Sequence, residues 1–291
     1  MASRPSPVRF GGPWRLPAVA DSAKPFLERN YFLFRRLHSL SGIVPIGVFL
    51  VSHLLTNSSV VWGLTDSRKA LGEHAHAGVA TFQHEVDFIH SIPFLLIIEV
   101  SLWGAIAFHS ILGVFYAMSG KGNTHRYAYQ DNFRYTLQRI SGYLGILFIF
   151  YHVATLRWGW TFLIPGGTAW SAEFAASTMA TILRGGTDGI TMPAVLVAVG
   201  YFLGISLLVF HFANGLWTAA ITWGLTLSAS AQKRWGMACA GLGAGLMAMA
   251  WASLFGFLLL DPAKARKAEE AHHAGHGHAS QVESPAADAS K

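Results

Sequence analysis

Four histidines set in strongly apolar surroundings, His53, His109, His152 and His211, are the residues of this chain best placed to do chemistry. Hydrocarbon offers a ring nitrogen no partner, so a histidine at membrane depth marks a functional site or a dedicated contact. A neutral imidazole is a metal ligand, and two that face each other from different helices can hold one metal centre between them. Whether these four face one another depends on the elements that carry them.

Those elements are apolar spans. Hydrophobic residues make up 52% of the 291-residue chain and charged ones only 12%, against roughly 25% charged in soluble domains, so the composition is that of an integral membrane protein. Five segments are long and apolar enough to cross a bilayer, at about 37 to 57, 92 to 118, 138 to 158, 192 to 224 and 236 to 260. We read them as one all-α five-helix bundle over residues 32 to 260, preceded by a polar, proline-containing segment 1 to 31. The formal net charge of +6 does not point to nucleic acid, because the basic residues flank the spans instead of forming a stripe with aromatics. Most of the 21 Lys and Arg lie in segments that are cytoplasmic if the N-terminus is, which sets the expected orientation. The single cysteine, Cys239, excludes a disulfide within the chain, a thiolate cage and a CxxCH haem attachment.

Alternating helix direction gives each histidine a depth. The first and third spans run outward and reach His53 and His152 after about 16 and 14 residues, some 20 to 25 Å from the inner side at about 1.5 Å per residue. The second and fourth run inward and bring His109 and His211 close to the inner side. Two pairs result, His53 with His152 and His109 with His211, which is the arrangement that bis-histidine ligation of two stacked b haems requires. The residue eleven positions before each histidine shares its helix face about three turns away. Three of these four are small, Gly42, Ser141 and Gly200, the exception being Ile98, and we assign the three to haem packing. A non-porphyrin metal site is disfavoured, because the pairs are too far apart to converge and have no acidic ligand beside them. His38 reads as a propionate or backbone partner, or as an interfacial residue. Outside the spans, residues 58 to 91 carry His74, His76, His84, Glu85, Asp87 and His90, and 170 to 183 suit a short interfacial helix. From Asp261 the chain is charged, Ala-rich and histidine-rich, and is expected to be disordered.

The segments FRRLHSLSGIVPIGVFLVSHLL, FHSILGVF, LQRISGYLGILFIFYHV and FHFANGLWTAAITWG resemble the five-helix, b558-type cytochrome b anchor of succinate dehydrogenase and fumarate reductase over about residues 30 to 260. The resemblance implies His53 and His152 as ligands of a distal haem, and His109 and His211 as ligands of a proximal one. It also implies a flavoprotein and an iron–sulfur subunit on the cytoplasmic face near Arg35, Arg36, Arg126, Arg134 and Arg139, with quinone, most simply menaquinone, at the distal end. In the fumarate reductase branch an outer glutamate begins the second helix. Here Ser91 stands at that position, and Asp87, His90 and Glu99 are its expected substitutes in quinone and proton handling.

The expected function is therefore that of the di-haem membrane anchor of a succinate:quinone oxidoreductase in the cytoplasmic membrane. The chain alone should not oxidise succinate, since it has neither a dinucleotide-binding glycine pattern nor a cysteine set for clusters. The alternatives are an anchor for another membrane dehydrogenase and a non-redox scaffold or transporter, the latter disfavoured by the lack of inverted repeats.

Overall fold

The computed structural model describes residues 26–63, 77–119 and 130–282. Residues 1 to 25 of the N-terminal segment, His74, His76 and Arg126 lie outside them. Among the described residues the regular elements are all helical. In chain order they are α1 (Phe26–Arg29), α2 (Tyr31–Ile43), α3 (Pro45–Trp62), α4 (Ala77–Ser91), α5 (Leu95–Ser119), α6 (Gln130–Leu156), α7 (Ala175–Arg184), α8 (Met192–Thr222), α9 (Ala229–Leu259) and α10 (Pro262–Val282).

Five crossings are long and apolar enough to span a bilayer: Tyr31–Trp62, Leu95–Ser119, Phe133–Leu156, Met192–Thr222 and Ala229–Leu259. The first joins α2 to α3. Pro45 has no N–H to give, but Val44 N–H still reaches the Leu40 carbonyl and Val48 N–H the Val44 carbonyl, so the chain bends there without ending its helix. The crossings with the four histidines form a closed ring, in which α2 and α3 pack on α5, α5 on α6, α6 on α8, and α8 on α2. The fifth, α9, lies outside this ring against α8 and α3. Outward-facing side chains of α5 are apolar, with Leu96 69% and Ile111 70% exposed. Such a surface fits lipid as its solvent.

The most completely buried cluster is at one end of the bundle. Val60, Val79, Phe82, Val86, Ala176, Leu183, Tyr201, Leu254, Phe257 and Ala268 belong to one core. It joins α4, α7 and α10 to the ends of α3, α8 and α9, making a cap over the end at which His53 and His152 lie. The short helix expected within 170 to 183 is α7, and it starts without a side-chain cap of its own. Its first N–H groups are satisfied from other helices: Ala175 N–H donates to Gln83 Oε1 at 3.1 Å, and Ala176 and Ser177 N–H donate to Glu269 Oε1 at 2.7 and 3.0 Å. Ser177 Oγ also donates to Glu269 Oε2. A carboxylate here meets both the free donors and the positive end of the helix dipole. Burial pushes the Glu269 carboxyl above its ordinary pKa, and the bonds from Ser177 and Ala176 pull it back.

The expectation of a disordered tail is corrected for residues 262 to 282, which form α10, while residues 283 to 291 lie outside the described residues. Asp261 Oδ1 accepts the Ala263 and Lys264 N–H groups at 2.9 and 3.0 Å, and Pro262 occupies the first helical position, a combination that starts a helix. Ala265, Ala268, Glu269 and His272 are all buried and recur at helical spacing on the face turned to the cap. Alanine is a strong helix former but a weak hydrophobe, so the stripe reads as low complexity until α4 and α7 are there to cover it. Replacing Glu269 with Ala removes charge-assisted hydrogen bonds worth about 1.5–3 kcal/mol each. The expected outcome is amide exchange roughly 10- to 100-fold faster over residues 262 to 275, with exchange in α8 unchanged, measured by hydrogen-exchange mass spectrometry.

Candidate functional site

The ring of crossings brings the four histidines together as two pairs. The His53 and His152 rings have centroids 5.8 Å apart and planes at 85°. For His109 and His211 the corresponding values are 6.2 Å and 82°. Two imidazoles on opposite sides of one metal, each nitrogen about 2 Å from it, put ring centroids roughly 6 Å apart. Both pairs have that spacing.

What surrounds the rings fixes which nitrogen is offered. His109 Nδ1 donates to the His38 carbonyl at 2.9 Å, and His211 Nδ1 to the Gln138 carbonyl at 3.1 Å, with Ser141 Oγ also 3.1 Å away. A proton held on Nδ1 leaves the Nε2 lone pair for a metal, the usual outer-shell device of a ligating histidine. His152 Nδ1 lies 3.3 Å from the hydroxyl of buried Tyr201. His53 has Asn57 one turn on, with Nδ2 at 3.5 Å from its ring nitrogens.

Gly42, Ser141 and Gly142 sit against the rings of the opposite pair, and Gly200 does not. A Cβ at Gly42 would come within 2.5 Å of His109 Cε1, and one at Gly142 within 3.1 Å of His211 Cε1. Ser141 is fully buried. Gly200 precedes Tyr201 on α8, and a Cβ there would meet nothing within 4 Å. Ile98, the one bulky member of the set eleven residues before the histidines, is 54% exposed on the outer surface of α5.

The end of the bundle at His109 and His211 is polar and basic. His38 stacks on His109 at 4.0 Å and 13°, so its ring is parallel to its neighbour and its backbone is that neighbour's hydrogen-bond acceptor. Arg134 Nε donates to Asn214 Oδ1 at 3.0 Å and its guanidinium lies 4.0 Å over the Trp217 ring. Asn214 Nδ2 donates to Gln138 Oε1 at 2.8 Å, which ties Arg134 to the loop of contacts that ends on His211. Arg139 Nη2 donates to the Ala117 carbonyl. His38 Nδ1 and Arg139 Nε are buried with no hydrogen-bond partner. Arg35 and Arg36 are exposed. Gln138, Asn214 and Tyr201 were not singled out from the sequence. Their only signal there was a polar group at span depth, which calls for a partner.

At the other end, Glu99 does not stand alone. Arg157 Nη2 donates to Glu99 Oε2 at 3.0 Å and Nε to Oε1, a bidentate pair joining α5 to α6. Trp103 and Trp158 stack beside it at 6.0 Å, and these four residues line a cleft with Leu96 and Val100. His90 Nδ1 is bonded to the Val86 carbonyl at 2.8 Å. Asp87 accepts from Gln83 Nε2 at 2.8 Å and faces His272 Nε2 at 3.2 Å. Glu85 turns to Thr56 and Ser59 of α3, and burial pushes its carboxyl above the ordinary range while those hydroxyls pull it back. Asp87, His90 and Glu99 therefore share one end of the bundle but make three separate sets of contacts.

The residues present fit a haem iron: at both levels two imidazoles stand at the right separation, and at the His109 and His211 level carbonyl acceptors on Nδ1 free Nε2, small residues lie against the rings, and basic donors without a hydrogen-bond partner stand nearby. This defines the class of protein, a membrane-embedded helical bundle that pairs imidazoles where a haem iron would be held. Over 203 residues, 69% of this chain and 85% of the relative, the sequence is 32% identical to the succinate dehydrogenase cytochrome b558 subunit of Bacillus subtilis. The chain belongs to the family of succinate dehydrogenase cytochrome b558 subunits, and so is a membrane anchor cytochrome that holds haem b. No protein-family profile and no solved structure matches it. Membership favours this reading over an anchor of another dehydrogenase and over a scaffold or transporter.

Gly42 is a direct test of the packing. Gly42→Ala drives a methyl into the His109 ring and is expected to weaken haem retention by about 10-fold or more, as disturbed ligand orientation does. Gly104→Ala, where an added Cβ meets nothing within 4 Å, should leave haem b content unchanged, both read by absorbance per milligram of purified protein.

Proposed function

We propose that this chain is the di-haem cytochrome b anchor of a succinate:quinone oxidoreductase, carrying electrons between an iron–sulfur subunit and a quinone, with menaquinone as the expected substrate. The observation that carries this reading is the pair of facing imidazole sets, 5.8 and 6.2 Å between centroids, at opposite ends of one ring of helices. His53 and His152 are the proposed ligands of the distal haem, and His109 and His211 those of the proximal one. When bound, the haems supply one-electron redox chemistry at potentials tuned by their setting.

The chain's own residues do the rest. The His38 and Gln138 carbonyls hold the proximal imidazoles in one tautomer and orientation, and Tyr201 braces His152. Gly42, Ser141 and Gly200 leave the room that macrocycle edges need. The proposed docking face for the flavoprotein and iron–sulfur subunits is the end bearing exposed Arg35, Arg36, Lys233 and Arg234, with Arg134 and Arg139 turned inward for propionates. That face is cytoplasmic in this reading, so the N-terminus is cytoplasmic and the membrane is the cell's inner one. Positive charge in the flanking segments supports this orientation.

Quinone is assigned to the opposite end. The Glu99 and Arg157 pair with its flanking tryptophans offers both a hydrogen-bonding edge and flat apolar walls, the mixture small-molecule sites use. Asp87 and His90 are the further proton-handling groups at that end, and each can exchange protons with water there.

Two measurements test this. Pyridine haemochrome analysis of the purified complex should give two b haems per chain, with His53→Ala and His109→Ala each removing a different one. One haem in a fully loaded preparation would defeat the di-haem assignment. For the quinone, Glu99→Gln should lower quinone reduction by about 10-fold or more if the carboxylate handles protons, with haem content intact. Unchanged turnover would remove Glu99 from the site.

A further inference from the structure

The cap holds a cluster in which Asp87, assigned above to proton handling, also meets two imidazoles that the proposed function leaves without a role. Asp87 on α4 and His272 and His273 on α10 each present one ligand atom, all within 4.8 Å of one another. His272 is 7% exposed, and its Nε2 lies 3.2 Å from Asp87 Oδ2. Two ligands on one tetrahedral ion, each about 2.0–2.1 Å from it, stand roughly 3.3 Å apart. The His272 and Asp87 atoms already have that spacing, and the His273 ligand atom lies within 4.8 Å of both.

A hydrogen bond between Asp87 and His272 would by itself explain their approach. It does not explain how Asp87 and His273 are held. Asp87 Oδ1 accepts from Nε2 of Gln83 at 2.8 Å. Gln83 is fully buried and anchored in turn to the Ala172 carbonyl and the Ala175 N–H. His273 Nε2 donates to the Glu173 carbonyl at 2.8 Å, which leaves Nδ1 of the neutral ring as a lone pair. An anchored carboxylate and an imidazole with its far N–H on a carbonyl are the outer-shell arrangements of metal ligands. The His84 ring stands 6.3 Å from that of His272, so a fourth position can be filled by it or by water.

We propose that Asp87, His272 and His273 form a binding site for a divalent transition-metal ion of the zinc class. Two imidazoles with one carboxylate suit such an ion better than calcium or magnesium, which prefer all-oxygen shells. The ion staples α10 to α4, closing the cap over the bundle end that bears His53 and His152. It is separate from the haem sites and does not depend on their assignment.

The test uses the purified full-length complex, stripped with chelator and titrated with Zn2+ by calorimetry, with metal content read by mass spectrometry. One ion per chain is expected, and Co2+ in its place should give the intense visible bands of a low-coordinate site. His272→Gln and Asp87→Asn should each weaken binding at least 10-fold and Gln83→Ala by about 10- to 100-fold, with haem content unchanged to report an intact fold. His278→Gln should have no effect, and Zn2+ should slow amide exchange over residues 262 to 275. Binding that survives the double variant Asp87→Asn, His272→Gln but is lost when residues 276 to 291 are deleted would overturn the proposal, as would the absence of any stoichiometric Zn2+ binding.

Discussion

A nitrogen or oxygen inside hydrocarbon must find its partner within the protein, and most of this structure follows from that constraint. Backbone groups meet it by remaining helical through all five crossings, including the proline at the middle of the first. The imidazoles meet it pairwise. His109 and His211 each donate an N–H to a carbonyl on another crossing, which leaves the other ring nitrogen with its lone pair. The same logic accounts for Gln138 and Asn214, polar groups at span depth that close a chain of contacts from Arg134 to the backbone of His211. The setting of His211 and the packing of the bundle are thus one network.

The two ends of the bundle solve different problems. At the His109 end, basic side chains turn inward beside the proximal pair and others remain exposed, which suits acidic groups both of a bound cofactor and of a partner protein. The His53 end is closed by a small soluble-style cap that contains the best-buried core of the chain. Helix α7 is central to it, because its free N–H groups are satisfied by Gln83 of α4 and Glu269 of α10. Those two buried side chains hold three helices that share no sequence proximity. The proposed metal cluster uses the same helices and the same glutamine, so cap integrity and metal binding would be linked.

How far the sequence could be read depended on how local the signal was. The pairing of His53 with His152 and of His109 with His211 follows from counting residues along alternating helices, and these are the rings that the structure brings together. Glu99 was singled out for proton handling but not as the partner of Arg157. The two are far apart in the chain, and only the packing of α5 on α6 brings them together. The tail was misread for a different reason. Its apolar stripe is made of alanine and interrupted by Glu269 and His272, which resemble a core face only when other helices supply their bonds.

By itself the sequence determined the membrane class, the five crossings, the four imidazoles and their pairing, because length, hydropathy and helical rise are local properties. Tertiary structure alone decided the tautomer-setting carbonyls of His38 and Gln138, the contact of Tyr201 with His152, the Glu99 and Arg157 pair and the capping of α7 by Glu269. Each of these is a bond between groups many tens of residues apart. Its existence depends on the rotation of one helix against another, which no spacing within a single helix specifies.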